Sequence, residues 1–380
     1  MEIKRDCIYY IGEKPCRHRR LCSGCPHYRP MGTRILIIKL AATGDVIRTT
    51  PLISGLKKRY KNPHITWVTD PAAYRLLKTN HEIDRLHVFN LESVQYLTAQ
   101  RFDLLISLDK ETRAVGLAGN IRAKKKVGFC LSKFGTLDIF DKRSEYALRL
   151  GLDDPLKFYE NDKSYPEIVF EMCGLEYKGE RYRLEIDPED GNYVNSLFKE
   201  KGLLGGDITV GLNIGAGPVF ANKAWTEDGF VKLIDRLGIV TVGGRGVKIV
   251  LLGGEGEKEK VKRIHEASGK RAVDIGCNHS VSQFAAIISL LDLVVTGDTM
   301  ALHLALAHNV PVVAVFGPTV ESEIDLFGLG RKVVAKIECA PCYRSSCGKS
   351  PNCMDAVSLE EVLEAALSVL EDKGGVKRDG

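Results

Sequence analysis

The chain has 380 residues, of which 44% are hydrophobic and 27% charged, and its formal net charge is only +5. This is the composition of a globular protein of about two domains, each long enough to bury a core. The small net charge argues against a general nucleic-acid binder, and the lack of an apolar run of about 18 residues argues against a membrane span.

Residues 1–31 form a polar, charged extension without the apolar stretch of a secretory signal. We therefore expect a cytoplasmic protein, in which thiols stay reduced. The extension holds four cysteines with the spacing C-x8-C-x5-C-x2-C, namely Cys7, Cys16, Cys22 and Cys25. Four thiols that include a C-x2-C pair suit a structural zinc, iron or iron–sulfur site, whereas reduced, unliganded thiols are the alternative.

The first half of the chain predicts alternating strands and helices. The expected elements are a strand at 34–39, a Gly-containing turn at 41–45, a helix at 46–60, and strands at 64–69 and 102–107. Pro51 fits poorly inside the first turns of that helix. The charged and less periodic residues 122–166 are expected to form loops that line a cleft.

A second α/β pattern begins near residue 207. Strands are expected at 208–213, 248–252, 293–296 and 311–316, and helices at 226–238, 256–268, 282–291, 300–308 and 358–371. The spacing of the elements favours parallel sheets with right-handed crossovers. We therefore predict an α/β protein with an extension (1–31), two doubly wound domains (32–195 and 206–357) and a terminal helix and tail (358–380).

Two such domains create a cleft at the carboxyl ends of their strands, where ligands bind in open α/β proteins. Asp45 lies at the top of the first strand, after Gly44, and its carboxylate is a candidate general base. From position alone, a helix N-cap is an equally good interpretation of Asp45.

The second half offers candidates for binding a nucleotide diphosphate. Gly215 lies in a Gly-rich turn, and Lys223 follows it on the same loop, where it can neutralise a leaving diphosphate or simply be solvated. Glu255 ends a strand and can accept hydrogen bonds from a ribose, or it can favour a helix terminus.

The segment from 296 to 303 is the strongest local feature of the sequence. Asp298 and Thr299 stand where a strand turns into a helix, whose free N–H groups suit a phosphate. His303 follows about one turn later. A helix cap for Asp298 and a packed helix position for His303 are the alternatives. The cleft-forming segments contain no D-x-D pattern for a metal-bridged sugar nucleotide, so no catalytic metal is expected.

Two further sets of residues are not among the candidates for the cleft. A second group of cysteines has the spacing C-x2-C-x4-C-x5-C and is also a candidate structural metal site: Cys339, Cys342, Cys347 and Cys353. Basic residues cluster at Lys57, Lys58, Arg59 and Lys61 and again at 122–126. They suit an anionic acceptor or a membrane surface, or are solvated helix ends and loops.

Together these residues resemble the ADP-heptose:lipopolysaccharide heptosyltransferases, glycosyltransferase family nine, over most of residues 33–355. The run from Ile35 to Asp45 looks like the first strand and Gly-Asp turn of that family, and Lys223 with Trp225 looks like its Lys-x-Trp segment. Other matching segments are Glu255, the stretch 298–303, the Phe-Gly-Pro-Thr stretch at 316–319 and Cys-Ala-Pro-Cys-Tyr at 339–343. Met300 departs from the usual Gly, Thr226 departs from a frequent Pro, and the N-terminal extension lies outside the common pattern.

The resemblance implies a GT-B fold and a metal-independent, inverting transfer of heptose from ADP-heptose. Asp45 would be the base, while Lys223, the helix start at Thr299 and His303 would hold the phosphates and the sugar. Lys57, Lys58 and Lys61 could meet an anionic lipid-linked saccharide, with the protein peripheral on the inner face of the cytoplasmic membrane. The alternatives are a protein hydroxyl as acceptor, a nucleotide-sugar epimerase, and a non-catalytic protein assembled through metal-bound cysteines.

Overall fold

The computed structural model describes residues 2–217 and 219–374, excluding the side chains of 373 and 374. The helices are α1 Thr43–Thr49, α2 Pro51–Arg59, α3 Pro71–Leu77, α4 Leu91–Thr98, α5 Thr112–Asn120, α6 Glu145–Arg149, α7 Tyr165–Cys173, α8 Pro188–Glu200, α9 Glu227–Leu237, α10 Lys258–Ala267, α11 Val281–Ser289, α12 Met300–Ala307 and α13 Leu359–Gly374. The strands are β1 Arg34–Ile38, β2 His64–Thr69, β3 Arg85–Val88, β4 Arg101–Ser107, β5 Arg122–Leu131, β6 Leu137–Ile139, β7 Ile208–Asn213, β8 Thr241–Val242, β9 Arg245–Leu252, β10 Ala272–Asp274, β11 Leu293–Gly297, β12 Val312–Phe316 and β13 Gly330–Val334. No helix within this part of the chain is long and apolar enough to cross a bilayer.

The strands form two sheets, which define two lobes. The first sheet has the order β3-β2-β1-β4-β5-β6, in which only β6 is antiparallel. The second has the order β10-β9-β7-β11-β12-β13, and the short β8 pairs with β9 in antiparallel fashion. In both sheets the first strand of the lobe lies in the middle, which is the doubly wound order of Rossmann-like domains. The predicted fold, two such domains facing across a cleft, is confirmed.

Each sheet is covered on both faces, and that explains the continuous apolar runs of its strands. Side chains from alternate strand positions enter two separate cores, one on each face. In the second lobe, one of these cores includes α13 and the other includes Val194 and Phe198 of α8. The predicted end of the first domain, residue 195, therefore falls inside α8, and the domain boundaries stay predictions.

Two local expectations were wrong. The helix predicted at 46–60 is two helices, because Pro51 has no N–H to continue α1 and instead occupies the first turn of α2. Residues 122–166, expected to be loops, include β5, β6 and α6. The first half of β5 is charged and largely exposed, and only its second half, from Val127 to Cys130, is buried, so the charges concealed the strand.

Candidate active site

A cavity of about 880 Å³ lies between the lobes, at the carboxyl ends of both sheets. Six of the predicted site residues line it: Gly44, Asp45, Lys223, Asp298, Thr299 and His303. The first two come from the turn after β1 and the start of α1, and the others from the second lobe. Because α1 packs against α12, the two lobes present these residues to the same space.

Asp45 lies in the first turn of α1, whose N-cap is Ala42, so the N-cap interpretation of this aspartate is wrong. Its side chain is 39% exposed, towards the cavity. A carboxylate oxygen lies 3.3 Å from Nη1 of Arg48, and the other lies 3.9 Å from Nζ of Lys39. Burial alone would raise the pKa of Asp45, but the charges of Lys39 and Arg48 outweigh it and hold the pKa below its usual range. The carboxylate is therefore ionised at neutral pH.

Lys39 anchors the turn that carries Asp45. Its buried ammonium group donates to a carboxylate oxygen of Asp109 and to the main-chain oxygen of Ala41, and the amide of Leu40 donates to the other Asp109 oxygen. Burial opposes the charge on Lys39, but Tyr165, Asp45 and Asp109 raise its pKa overall, so the amine keeps its proton. Lys39 and Asp109 thus fix the backbone beside the candidate base.

Arg48 joins the candidate base to the second lobe. Its guanidinium is buried, lies over the ring of Tyr165 at 4.3 Å, and donates to the main-chain oxygen of Glu323 at 2.7 Å. The amide of Tyr165 donates to that same oxygen at 3.0 Å. One carbonyl of the second lobe therefore accepts two hydrogen bonds from the first, next to Asp45.

On the opposite wall, Lys223 and Asp298 form an ion pair of 2.9 Å. Burial alone would raise the pKa of Asp298, but Lys223 holds it below its usual range. A Cβ added to Gly297 would lie 2.3 Å from the main-chain oxygen of Lys223, so the lysine loop packs directly on the end of β11. The glycine thereby allows the lysine to reach the cavity.

Thr299 is the N-cap of α12, and its hydroxyl accepts a hydrogen bond from the amide of Ala301 at 3.2 Å. The side-chain amide of Asn213 donates to the Thr299 hydroxyl at 3.1 Å and to Thr296 at 3.0 Å. The helix start is therefore held rigidly at the cavity wall, where its first N–H groups favour an anion.

His303 is buried and touches the first lobe. A Cβ on Gly44 would lie only 2.7 Å from Cδ2 of its ring, so glycine is needed for this contact. Burial and the charge of Arg48 lower the pKa of His303 to about 3, and the ring is neutral at physiological pH. Its Nδ1 has no hydrogen-bond partner among the described residues, while Nε2 lies 3.9 Å from Asp298. His303 thus packs between the lobes, as weighed for it, and also lines the cavity, and its donor-binding role stays a prediction.

Gly215 and Glu255 do not line this cavity. Gly215 accepts a hydrogen bond from Asn213 through its main-chain oxygen, and Glu255 is exposed. Glu257 instead organises this region, since its carboxylate accepts hydrogen bonds from the amides of Gly217 at 3.2 Å and Gly254 at 2.9 Å. Donor-binding roles for Gly215 and Glu255 remain predictions.

The basic residues predicted to meet the acceptor also lie outside the cavity. Lys57, Lys58 and Lys61 are exposed at the end of α2 and beyond it, and the first two pair with Glu82 at 3.4 Å and Glu180 at 2.9 Å. The first lobe places other lysines on the cavity wall, namely Lys110 after β4 and Lys157.

These two lysines have no carboxylate within ion-pair distance in the described part of the chain. Nζ of Lys110 donates to the main-chain oxygen of Ala147 at 2.9 Å and lies 5.0 Å from the centre of the Phe129 ring. Nζ of Lys157 lies 3.6 Å from the centre of the Tyr343 ring. Burial and the nearby Lys157 lower the pKa of Lys110. The wall around them therefore favours an anionic ligand.

The eight cysteines of the two sets are all free thiols. Burial, and to a lesser degree the neighbouring Cys342 and Cys347, raises the pKa of Cys353. Over residues 2–217 and 219–374, no three or more His, Cys, Asp or Glu side chains form a ready-made metal site. Metal binding by either set stays a prediction.

Sequence reasoning missed Lys39, Arg48, Asp109 and Tyr343, all of which line the cavity. Lys39 follows β1 directly and Asp109 lies two residues after β4, which is the same positional signal that identified Asp45. Arg48 follows Asp45 by three residues on a helix and thus faces the same side. Tyr343 follows the Cys-Ala-Pro-Cys segment, and no signal in its neighbourhood pointed to the cleft.

Comparison with known proteins places this geometry in context. A family model described as glycosyltransferase family 9 (heptosyltransferase) matches residues 90–351. Lipopolysaccharide heptosyltransferase 1 of Campylobacter coli is 26% identical over 310 residues, which cover 75% of this chain and 84% of that protein.

Solved structures share the fold. The glycosyl transferase family 9 protein from Veillonella parvula superposes with a TM-score of 0.70 at 22% identity, over 90% of this chain and 97% of that one. The E. coli ADP-heptose lps heptosyltransferase II superposes with a TM-score of 0.64 at 18% identity, over 90% of this chain and all of that one.

Proposed function

The chain belongs to glycosyltransferase family 9, and from that premise we propose that it transfers heptose or a related sugar from an ADP-sugar to a saccharide of the lipopolysaccharide core. That it is a glycosyltransferase follows from the family. The resemblance recognised in the sequence is confirmed at the family level. The observation that carries the finer proposal is the placement of Asp45 opposite Lys223 and Thr299 on the walls of one cavity.

Asp45 acts as the general base. It is ionised, exposed to the cavity and held by two cations, so it can accept the proton of an acceptor hydroxyl as that oxygen attacks the anomeric carbon. The bond to the diphosphate breaks on the opposite side of the sugar, which inverts the anomeric configuration in one displacement. The proton goes to the Asp45 carboxylate, and the bonding electrons go to the leaving diphosphate.

The second lobe stabilises the charge that develops on the diphosphate. Lys223 supplies a positive charge from the cavity wall, and the start of α12 at Thr299 supplies N–H groups. Asp298 keeps Lys223 in place through their ion pair. These residues supply the electrostatic stabilisation of the leaving group themselves, and we therefore propose a mechanism without a catalytic metal.

The acceptor approaches along the first lobe. Lys110 and Lys157 face the cavity without a carboxylate at ion-pair distance among the described residues, which suits an anionic saccharide. The relatives named as lipopolysaccharide heptosyltransferases support a core-type acceptor. We place the reaction in the cytoplasm, where the exposed Lys57, Lys58 and Lys61 can meet the anionic inner face of the membrane.

A donor screen tests the proposal. The protein is incubated with ADP-, UDP- and GDP-sugars, and its melting temperature is followed for each. An ADP-sugar should stabilise the fold, since a ligand that binds only the native state raises its stability, and Lys223→Met should weaken the stabilisation. Stabilisation by UDP- or GDP-sugars alone would overturn the donor assignment.

Transfer is then measured with the stabilising donor and a lipopolysaccharide-core saccharide. Mass spectrometry should show the acceptor heavier by one glycosyl residue, and the anomeric proton coupling should show inversion. If the sugar nucleotide changes in the absence of any acceptor, the enzyme is an epimerase. Transfer to a protein hydroxyl alone would replace the proposed acceptor.

A further inference from the structure

The N-terminal extension has too little apolar surface to fold by hydrophobic burial. Residues 2–31 contain no helix or strand, and Cys7 alone among them belongs to the buried apolar residues. Ile11 and Leu21 are 50% and 68% exposed. Segments of this length without a core are usually held together by disulfides or by a metal ion. The four cysteines here are free.

The same four cysteines organise the turns of the extension. The carbonyl oxygens of Cys7, Cys16, Cys22 and Cys25 each accept a hydrogen bond from the amide three residues later, at 2.8–3.2 Å. All four cysteines line a single cavity of about 30 Å³. That volume has room for an ion or a water-sized group and not for an organic ligand.

Charge in the extension favours bound thiolates. Residues 1–31 carry seven Lys and Arg against three Asp and Glu, and Lys4 and Arg20 line the cavity itself. Four thiolates around a divalent cation have a net charge of −2, which these cations offset.

We propose that Cys7, Cys16, Cys22 and Cys25 bind one thiophilic divalent cation, Zn²⁺ or Fe²⁺, in a tetrahedral site that holds the extension together. On binding, each of the four S–H groups releases its proton to solvent and each sulfur forms a bond to the metal. The thiols must move closer together to coordinate the ion, because no three His, Cys, Asp or Glu side chains among the described residues already lie close enough to bind one. An extension built only of turns permits that movement.

His18 and His27 also line the cavity, but their rings are engaged with each other. The rings stack at 4.0 Å with an interplanar angle of 7°, and Nε2 of His18 accepts a hydrogen bond from Arg17 at 3.4 Å. The two histidines therefore serve as matched controls within the same cavity, and the four thiols are the ligands.

The location makes this a structural site and not part of the transferase chemistry. The chain enters β1 at Arg34 and reaches the catalytic cavity only at Lys39, beyond the opposite end of that strand. Gly32 lies against the main-chain oxygens of Lys61 and Asn62, in the loop before β2. The proposed metal thus sits at the amino-terminal side of the first sheet, away from Asp45 and Lys223, and the inference does not depend on the proposed function.

The test compares the full-length protein with Cys22→Ser, Cys25→Ser, His27→Gln and Cys130→Ser, the last of which changes a buried free thiol in β5. Zn²⁺ and Fe²⁺ per chain are measured by plasma mass spectrometry after reconstitution with each metal under reducing conditions. Cys22→Ser and Cys25→Ser should each lose about one metal equivalent, and both controls should keep it. Equal metal content in all proteins would overturn the proposal, and so would an equal loss in His27→Gln.

Two further readouts sharpen the result. Trypsin should cut within residues 1–31 at least 10-fold faster after a chelator is added to the wild type, and the chelator should not accelerate cutting of Cys22→Ser. Detection of acid-labile sulfide together with absorbance near 400 nm would show that the site holds an iron–sulfur cluster and not a single ion. Stabilisation by a sugar nucleotide should persist in every variant, which separates this proposal from the one for the cleft.

Discussion

Both lobes place a strand, a turn and a helix with an aspartate against the cleft, yet the two aspartates have different surroundings. Asp298, at the start of α12, is 15% exposed and engaged by Lys223 at 2.9 Å. Asp45, at the start of α1, is 39% exposed, and its cations stand further away at 3.3 and 3.9 Å. Asp298 is thus committed to positioning a lysine, whereas Asp45 remains available to accept a proton.

The strongest test of this difference removes each carboxylate in turn. Asp45→Asn should lower kcat by about 10²- to 10⁴-fold, because it removes the base and keeps the shape. The donor should stabilise the Asp45→Asn variant as much as it stabilises the wild type. Asp298→Asn should mainly raise the KM for the donor, because Lys223 loses its partner. Steady-state kinetics and thermal shifts measure both.

Asp228→Asn is the control for these substitutions, since that carboxylate is exposed on α9. It should leave both kinetic constants as they are. A full loss of kcat in Asp298→Asn, with an active Asp45→Asn, would reverse the roles assigned to the two lobes.

The next largest effect concerns the lysine that Asp298 holds. Lys223→Met should lower kcat/KM by about 10²- to 10³-fold, because the leaving diphosphate loses a fixed positive charge. Donor-induced stabilisation should fall in parallel. Lys232→Met, which changes an exposed lysine on α9, is the matched control. An unchanged thermal shift in Lys223→Met would remove this lysine from the donor site.

The sequence predicted the turns that carry Asp45 and Asp298, but it did not predict the Lys39–Asp109 pair that supports the turn of Asp45. Asp45, Lys223 and Thr299 could be found because each follows a recognisable strand at the carboxyl end of a parallel sheet. Lys39 follows such a strand too, but its partner Asp109 is 70 residues away. Their contact depends on β1 lying beside β4 with Ile38 opposite Ser107, which is a tertiary fact.

Sequence patterns also failed to show β5 and failed to show that Glu257, and not Glu255, accepts the hydrogen bonds of the loop amides. A strand that is charged for half its length has no clear apolar period, and a shift of two positions at a helix start cannot be resolved from residue types. The sequence therefore determines the lobes and the ends of their strands better than it determines which polar side chains meet there.

Replacing Lys39 tests how the first lobe supports Asp45 without changing the second lobe. Lys39→Met leaves Asp109 buried without its partner and should destabilise the fold by about 3–5 kcal/mol. It also removes a positive charge that lowers the pKa of Asp45, so that pKa should rise. The acid limb of the kcat/KM profile should then move to higher pH. Chemical denaturation and pH-dependent kinetics measure the two effects.

The double variant Lys39→Met/Asp109→Leu separates the two roles of the pair. Apolar residues of similar volume should recover part of the stability, because no buried charge is left unpaired. The recovery is incomplete because the buried amide of Leu40 loses its acceptor on Asp109. The acid limb should stay at the higher pH, because Lys39 is still absent. If its position returns to that of the wild type, Lys39 does not act on Asp45.

A smaller effect tests the contact between the two turns. Gly44→Ala puts a Cβ 2.7 Å from Cδ2 of His303, closer than the two carbons can pack, so the lobes must shift apart. We expect kcat/KM to fall on the order of 10-fold, because the base moves relative to the donor. Gly119→Ala is the control, since nothing lies within 4 Å of its added Cβ and alanine favours the helix α5. Equal activities of the two variants would show that the contact does not position the base.

The smallest expected effect is the pH response of the wild type, and it decides which group in the cleft titrates. The base must be deprotonated, so activity is lost as the pH falls through its pKa, and the pKa of Asp45 lies below the ordinary value of 3.8. His303, with a pKa of about 3, is already neutral at pH 5. From pH 5 to 8 kcat/KM should therefore change less than about 2-fold. An acid limb near pH 6.5 that disappears in His303→Gln would mean that His303, and not Asp45, accepts the proton of the acceptor hydroxyl.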